Sequence, residues 1–308
     1  MKRGWIFGLA LMALGSILFL IVFAAAGWDI TAMSTRPERL EKNYTAQAEL
    51  SNICIDEGNG NLRVVPSPDE KVHILYFESE EEGYSIREEN GTLEIVYQDR
   101  SELYRRIFDI NFQEITMTIQ VPKEFAGEVN LRTRNGDVEI KQVEAGSTQV
   151  FAESGKILLD DFDADSLVLE ADNGKITVEN LAVAGELEAQ SDNGSVEARN
   201  VTCANARVTA DNGNLQIEGL AAEDIVEVEA RNGAIRVEEL EFGTACTLEA
   251  DNGAIRGTLP GKTVEYTIQS VAENGENSLP ENLAGGEKQL TVIAKNGRID
   301  IAFADDAS

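Results

Sequence analysis

Cysteine and histidine are scarce in this chain of 308 residues, which holds three cysteines and one histidine. The cysteines Cys54, Cys203 and Cys246 form no Cys-x-x-Cys and have no metal-ligand spacing, so the sequence predicts neither a disulfide framework nor a metal site. We interpret them as small apolar core residues, with a Cys203–Cys246 disulfide as the alternative. His73 has no companion residue for acid–base or metal chemistry, so we expect a structural role.

Basic residues are also few, because 26 Lys and Arg stand against 55 Asp and Glu, for a formal net charge of -29. This balance excludes nucleic acid as a partner, since phosphate binding needs clustered basic side chains. The apolar fraction of 43% is nevertheless too high for a disordered acidic chain. Acidic and apolar residues are interleaved, which predicts elements with one buried face and one solvated face.

The longest apolar run lies at the N-terminus, where residues 5–27 carry no charge and are flanked by tryptophans. As a helix this run is about 34 Å long, which is enough to cross a bilayer. The positive-inside bias places residues 1–4 in the cytoplasm and the body of the chain outside the cell membrane. We interpret the run as a retained single-pass anchor, and the alternative is a signal peptide cleaved near Ala24-Ala25-Ala26.

A polar connector is predicted for residues 28–48, which contain Pro37 and mixed charge without a clear periodicity. Residues 49–130 then hold several strand-like stretches, among them a hairpin around Asn90-Gly91. We expect this region to form the membrane-proximal cap and the first turns of the body. Residues 131–308 form the repeat domain.

Asn-Gly recurs through the repeat domain at intervals of 19 to 22 residues. A Gly closes each of nine units, and the residue before it is Asn in every unit except at Ser154. Because Asn-Gly tolerates positive φ, we interpret it as a sharp turn between two strands. The predicted turn ladder comprises Asn135, Gly136, Asn173, Gly174, Asn193, Gly194, Asn212, Gly213, Asn232, Gly233, Asn252, Gly253, Asn296 and Gly297.

Apolar and polar residues alternate on both sides of each turn, which is typical of strands with one buried face. Equivalent positions stay apolar from unit to unit, as in the column Val178, Ala198, Ile217 and Val237. Parallel stacking would bury such columns in one continuous core. The sequence therefore predicts an all-β parallel β-solenoid of about nine rungs, right-handed by the general crossover preference. A hairpin meander, the alternative, would need a strong turn about every ten residues.

Two further columns are expected from this stacking. The turn asparagines would hydrogen-bond along the rod as an amide ladder. The residue two positions before each turn Asn is small, which indicates a crowded inner corner, in the column Thr133, Ala152, Ala171, Ser191, Ala210, Ala230, Ala250, Ala272 and Ala294.

The chain resembles the bacterial DUF4097 family of "putative adhesins", which is related to LiaG-like cell-envelope proteins. The resemblance rests on the apolar segment before Gly-Trp-Asp-Ile, the strand-rich stretch and the tandem rungs of about twenty residues with a Gly turn. It covers nearly the whole chain, although many members carry Ser-Thr-Gly-Asp where this chain has mostly Asp-Asn-Gly. The resemblance implies a membrane-anchored β-solenoid and supplies no catalytic residues.

Acidic residues precede several of the turn asparagines, so stacking would bring Asp172, Asp192 and Asp211 together, with Asp251 further along the same edge. One hypothesis is a calcium site on this edge. The other is a solvated corner in which Arg231 compensates Asp211 and Asp251.

One basic and aromatic patch interrupts the acidic chain, at Tyr104, Arg105, Arg106 and Phe108. It is a candidate contact for anionic lipid or a partner protein. The alternative is a loop that folds over the end of the stack and buries its own apolar side chains.

These features favour a non-catalytic, membrane-anchored extracytoplasmic scaffold for binding, adhesion or envelope-stress sensing, with no cofactor. Its expected partners are the membrane and an envelope protein or surface glycan. The alternative is a polysaccharide-binding or polysaccharide-cleaving β-helix, in which Asp211, Arg231 and Asp251 would imitate an acidic active site. A third hypothesis is end-to-end assembly through an uncapped rung.

Overall fold

The computed structural model describes residues 2–25, 27–28, 39–100 and 115–306. One helix, α1 (Lys2–Ala25), precedes a body of strands. The strands form about nine turns of a parallel β-solenoid, which confirms the predicted fold class. Within the described part of the chain, no helix has both the length and the apolar character that a membrane crossing requires.

Three groups of strands follow α1. The first comprises β1 (Leu40–Thr45), β2 (Asn52–Glu57), β3 (Asn61–Pro66), β4 (His73–Glu78), β5 (Glu82–Glu89), β6 (Thr92–Asp99), β7 (Thr116–Val121), β8 (Glu124–Phe125) and β9 (Glu128–Thr133). The regular rungs contain β10 (Val138–Ala152), β11 (Ile157–Ala171), β12 (Ile176–Ser191), β13 (Val196–Ala210), β14 (Leu215–Ala222), β15 (Ile225–Ala230), β16 (Ile235–Glu238), β17 (Ala245–Ala250) and β18 (Ile255–Leu259). The last group comprises a 3-10 turn (Thr263–Glu265), β19 (Tyr266–Ala272), β20 (Asn282–Leu283), β21 (Lys288–Ala294) and β22 (Ile299–Phe303).

The rung built by β11 shows how the sequence makes one turn of the solenoid. Alternate side chains point inward along three short faces, and the chain bends between them. The buried residues of this rung are Ile157, Leu159, Phe162, Ala164, Leu167, Leu169 and Ala171. A single rung leaves these side chains without neighbours above and below, so only stacking removes them from water.

Successive rungs stack in register. Val178 on β12 lies beside Ala198 on β13, which lies beside Ile217 on β14, and all three are buried. The long strands β10 to β13 pair in parallel, as the solenoid requires and a meander does not. The inner-corner column is buried as expected, except that Ala272 is half-buried because it lies on the terminal strand β19.

One corner of the rung absorbs the change between 19 and 20 residues. The register between β11 and β12 shifts between Ala164 and Leu167, and the register between β12 and β13 shifts between Val183 and Glu186. A bulge adds one residue to one strand while the flanking pairs stay matched. The apolar columns therefore remain aligned despite the unequal spacing of the turns.

The corner glycines are needed for close stacking and not for positive φ, which corrects the expectation from sequence. A Cβ on Gly174 would lie 1.7 Å from the carbonyl oxygen of Gly155 in the neighbouring rung, and a Cβ on Gly194 would lie 1.9 Å from that of Gly174. Neither glycine has a φ in the left-handed region. Any side chain here would push the rungs apart.

Six residues with a left-handed φ occupy a second corner of the rungs, six positions after the corner glycines. They are Gln142, Asp161, Asn180, Asn200, Gly219 and Glu239, with φ between 52° and 66°. Asn, Asp and Gly tolerate this conformation better than other residues, and Gln and Glu carry more strain there. Because the types vary from rung to rung, this corner left a weaker signal in the sequence than Asn-Gly did.

The rung order at the C-terminal end departs from the chain order. Strand β21 lies between β17 and β19, so the Gly297 corner stacks on Gly253, and Gly275 lies beyond Gly297. The last two turn spacings are both 22 residues, so they are compatible with either stacking order of these rungs. The sequence alone therefore led to the prediction that the rungs stack in chain order.

The N-terminal end has a similar insertion. Strand β2 lies between β6 and β9, and β3 lies between β7 and β10. The turn between β2 and β3 is Asn59-Gly60, an additional corner that the sequence analysis did not count.

Antiparallel strands cover the N-terminal edge of the stack. β5 pairs with β6 in the hairpin predicted at Asn90-Gly91, β4 pairs with β7, and β1 pairs with β4. The connector predicted for residues 28–48 is therefore wrong at its C-terminal end, because Leu40–Thr45 is recruited as β1 to satisfy the edge of β4.

Candidate functional site

The Asn-Gly corner carries a ladder of side-chain amides on the outside of the stack. Asn193 donates through Nδ2 to Oδ1 of Asn173 at 3.0 Å, and Asn212 donates in the same way to Asn193 at 3.1 Å. The ladder continues through Asn232, Asn252, Asn296 and Asn274 with Nδ2–Oδ1 distances of 3.0 to 3.1 Å. Each interior amide both donates and accepts, so the ladder satisfies a row of polar groups at a crowded corner.

The ladder is interrupted once. Asn135 donates to Asn59 at 2.9 Å, but Ser154 occupies the next corner and is too short to continue the row. As a donor, Asn173 keeps only a bond to the backbone carbonyl of Glu153 at 3.2 Å, which Asn193 and Asn212 also make to the rung before them in addition to their amide bonds. This gap separates the first two corners from the others.

The acidic edge beside this ladder is partly compensated by basic residues. Arg231 bonds to Asp211 at 2.7 Å, as one of the two hypotheses expected. Its predicted pairing with Asp251 is wrong, because β21 is inserted next to β17 and brings Lys295 to within 2.5 Å of Asp251. The hydrogen bond to Asp251 raises the pKa of the Lys295 ammonium above its usual value.

The calcium hypothesis for Asp172, Asp192, Asp211 and Asp251 has no support in the geometry. Among the described residues, no group of three or more Asp, Glu, His or Cys side chains is arranged to hold a metal ion. The solvated-corner interpretation accounts for the contacts of Asp211 and Asp251.

The cysteines are free thiols, which contradicts the alternative of a Cys203–Cys246 disulfide. Cys203 lies in the apolar column with Val183 and Ala222, and burial raises its pKa to about 11. Burial also raises the pKa of the Cys246 thiol well above its usual range. Neither group is a thiolate at neutral pH, so neither is a nucleophile.

His73 is held by hydrogen bonds on strand β4. Its Nε2 lies 2.8 Å from Asp69, and its Nδ1 lies 3.0 Å from the hydroxyl of Thr45 on β1. Both ring nitrogens are thus used to join β4 to its neighbours, in agreement with a structural role.

A buried carboxylate that the sequence analysis missed lies at the Asn59-Gly60 corner. Glu57 occupies the inner-corner column, opposite Thr133, where the other rungs carry small residues. It is 2% exposed, and its Oε1 accepts the backbone N–H groups of Gly58 and Gly60, each at 3.1 Å. Aligning Asn59-Gly60 with the later corners would have revealed the exception.

The role of Glu57 follows from its place at the end of the corner ladder. Gly58 stands one position before the corner Asn, as Asp211 does in a regular rung. The N–H of Asp211 donates to the carbonyl of Ser191 one rung earlier. The rung outside β2 is built from β6, which is not followed by an Asn-Gly corner. The carboxylate therefore supplies the acceptor that the missing corner would have provided.

Tyrosines and a buried ion pair surround Glu57. Tyr84 donates its hydroxyl to Oε2 of Glu57 at 2.7 Å, and Tyr97 donates to Glu82 at 2.9 Å. Arg39 bonds to the same Glu82 at 2.7 Å, with both side chains more than nine-tenths buried. Burial is the main cause of the raised pKa of Glu57, and it also raises that of Tyr84. This cluster fastens the incoming chain to the cap.

A shallow groove of about 350 Å³ crosses the outer surface of β6, β2, β9, β10 and β11. We call it the outer groove, and its main side chains are Asp56, Asn130, Arg132, Gln149, Phe151 and Val168. The guanidinium of Arg132 lies over the ring of Phe151, 4.4 Å from its centroid. No rung-to-rung repeat marks these residues, so sequence reasoning had no signal for them.

The remaining predicted patch lies outside the described residues. Tyr104, Arg105, Arg106 and Phe108 fall within 101–114, a range that the structure does not describe. Their contact with lipid or protein stays a prediction.

The stacked rungs, the steric requirement for corner glycines and the amide ladder define a parallel β-solenoid. A family profile, Toastrack DUF4097, matches residues 50–301, and the chain therefore belongs to this family. Among curated proteins, none matches this chain in sequence.

Solved structures with a similar fold come from several bacteria. One is a "putative adhesin" from Parabacteroides merdae, with 12% identity and a TM-score of 0.52, covering 87% of this chain and 97% of that one. Another "putative adhesin", from Parabacteroides distasonis, has 14% identity and a TM-score of 0.49, with 86% and 97% covered. A "putative lipid binding protein" from the same species has 12% identity and a TM-score of 0.49, with 88% and 98% covered. At these identities the likeness concerns the fold alone.

Proposed function

We propose that this protein is a non-catalytic binding scaffold of the adhesin type, displayed outside the cell membrane on its N-terminal helix. The supporting observation is the surface of the solenoid. The corner ladder and the cap use their polar side chains for structure, whereas in the outer groove, within the described ranges, Gln149 has no side-chain hydrogen bond and Arg132 has no ion pair. The "putative adhesin" of similar fold from Parabacteroides merdae points in the same direction. Envelope-stress sensing through a partner protein is a variant of the same role.

Membrane attachment is part of this proposal. The apolar side chains of α1 between Leu11 and Val22 are more than half exposed, so the body of the protein does not bury them. A bilayer would remove them from water, at a gain of about 25 cal/mol for each Å² buried. Residues 1–4 would then remain in the cytoplasm.

The polysaccharide-cleaving alternative is not favoured by the contacts of its proposed residues. Arg231 and Asp211 neutralise each other, and Asp251 is bonded to Lys295. A cleavage assay on neutral and acidic glycans, with Arg231→Ala as the control, tests this alternative directly.

The proposal is tested by attachment of whole cells. Cells that carry the full chain are compared with cells that lack it, and with cells in which α1 is replaced by a cleavable signal peptide. We expect attachment to glycan-coated or protein-coated surfaces to fall in both altered strains, and protease added to intact cells to degrade the solenoid. Unchanged attachment in both strains would contradict the proposal.

A further inference from the structure

We propose that the outer groove binds a neutral glycan chain that runs along the solenoid axis. This inference rests on the proposed scaffold function and names its ligand class. Strands β2, β9 and β10 are each paired in parallel on both sides, so their N–H and C=O groups are consumed by the sheet. A peptide cannot add as a further strand here, and recognition depends on side chains alone.

The side chains of the outer groove offer both donors and acceptors. The side-chain amide of Gln149 makes no hydrogen bond within the described part of the chain, and the side chain of Asn130 reaches only the sulfur of Cys54 at 3.9 Å. Among the described residues, no carboxylate lies within ion-pair distance of Arg132, whereas Arg199, Arg207 and Arg231 each have at least one. A ligand with many hydroxyl groups can accept from the guanidinium and amides and donate to the carboxylates.

The apolar side chains fit the same ligand class. Phe151 and Val168 are half-buried on the outward face, where a later rung carries Gln190 and Glu188 at the equivalent positions. Sugar rings present C–H faces that pack on such side chains while their hydroxyls bond at the rim. The carboxylate of Asp56 and the charge of -29 disfavour an anionic glycan.

The dimensions agree with an extended chain of sugars. Neighbouring strands in a sheet are about 4.8 Å apart, so the five strands of the groove span on the order of 20 Å. A pyranose unit in an extended glycan advances by nearly the same distance as one rung. Asn130 and Gln149 lie side by side on adjacent rungs, as do Arg132 and Phe151, so successive sugars would meet successive rungs.

Binding of oligosaccharides to the purified full chain in detergent tests the inference. The probes are cellohexaose and chitohexaose as neutral glycans and an oligogalacturonate as an acidic one, measured by titration calorimetry. We expect at least one neutral probe to bind, and Arg132→Ala and Gln149→Ala each to weaken it about tenfold. The matched control is Arg207→Ala, which removes an exposed arginine from the same outer surface beyond the groove and should leave binding unchanged.

Several results would overturn the inference. They are no binding of either neutral probe, tighter binding of the acidic probe, or equal binding by Arg132→Ala, Gln149→Ala and the parent chain. The altered side chains point outward, so their removal should leave the thermal unfolding midpoint unchanged. An unchanged midpoint shows that each variant is folded. Cell attachment without oligosaccharide binding would refute glycan binding by the outer groove but not the scaffold function. Oligosaccharide binding without cell attachment would refute the scaffold function but not glycan binding by the groove.

Discussion

At the scale of the residue, glycine is required in this fold for a steric reason. The carbonyl of one corner glycine occupies the space that a Cβ on the next would need, at 1.7 to 1.9 Å along the regular rungs. The second corner has the opposite demand, since its residues adopt positive φ and have room for a side chain. Two corners of one rung thus select residues by different physical criteria.

This difference predicts contrasting effects for two substitutions. Gly194→Ala should destabilise the solenoid by about 2–3 kcal/mol, because backbone must move to admit the methyl group. Gly219→Asn should be nearly neutral, since Asn already occupies the same left-handed corner at Asn180 and Asn200. Chemical denaturation monitored by circular dichroism measures both. Equal losses in the two variants would contradict the steric explanation.

The buried carboxylate of Glu57 makes a second prediction at this scale. Its pKa in the folded state is raised above the unfolded value, chiefly by burial. Protonation of Glu57 therefore favours folding. The stability that it contributes is fully present below the unfolded pKa and is lost as pH rises through the folded pKa. Glu57→Gln removes this loss, so the variant should gain stability relative to the parent chain as pH rises.

The comparison is made by thermal unfolding of both chains between about pH 4 and pH 8, a range that includes the ordinary Glu pKa. Glu57→Ala is the companion variant, and it should lose about 2 kcal/mol because the N–H groups of Gly58 and Gly60 lose their acceptor. A stability difference between Glu57→Gln and the parent that does not change with pH would refute the assignment.

At the scale of the element, the amide ladder connects rungs that pair only with their neighbours. Every interior Asn accepts from one side and donates to the other, so one missing member breaks the row in two. Ser154 is such a break, flanked by Asn135 and Asn173. The corner backbone at Ser154 follows the same stacking, with its N–H donating to the carbonyl of Arg134 at 2.7 Å.

Completing the ladder should stabilise the protein. We expect Ser154→Asn to add about 0.5–1 kcal/mol, since the new amide would donate to Asn135 and accept from Asn173. Ser154→Ala serves as the control, because it changes the corner residue without supplying an amide. The midpoint of urea denaturation separates the two variants, and a fall in stability for Ser154→Asn would show that the amide does not fit this corner.

The end elements protect the edges of the stack. Strands β1, β4 and β5 cover the first rungs, and β20 pairs with β19 at the last. Tyr44 bonds to Glu88 at 2.5 Å and links β1 to β5 across this cap. Covered edges resist strand-to-strand association, which weakens the hypothesis of end-to-end assembly through an uncapped rung.

At the scale of the whole molecule, the net charge of -29 opposes the compact state through self-repulsion. Salt screens such charges, with a Debye length of about 10 Å at 0.1 M. We expect the thermal midpoint to rise by a few degrees when sodium chloride is raised from about 10 mM to about 150 mM.

Calcium chloride at matched ionic strength is the control for this prediction. Without a calcium site on the acidic edge, the two salts should raise the midpoint similarly. A further, saturable rise with calcium would revive a site at Asp172, Asp192 and Asp211 and contradict the solvated-corner interpretation.

Much of the fold was predictable from sequence, whereas the site was not. The period of about twenty residues, the alternation of apolar side chains and the matched columns led to a parallel solenoid, because stacking is the one arrangement that buries every column. Glu57 was missed since it belongs to a rung that lies far in sequence from its spatial neighbours. The outer groove joins β6, β2 and β9, whose adjacency no local pattern encodes.

The sequence by itself determined the repeat, the positions of the Asn-Gly corners in the repeat domain and the inward-facing residues, because these depend on local periodicity and residue size. Only the tertiary structure decided the order of the rungs at both ends, since the spacing of the turns does not say which rung is inserted between two others. It also decided that corner glycines make room for a neighbouring carbonyl, because that contact exists only between rungs. The ion pair of Lys295 with Asp251 and the outer groove depend on the same stacking order.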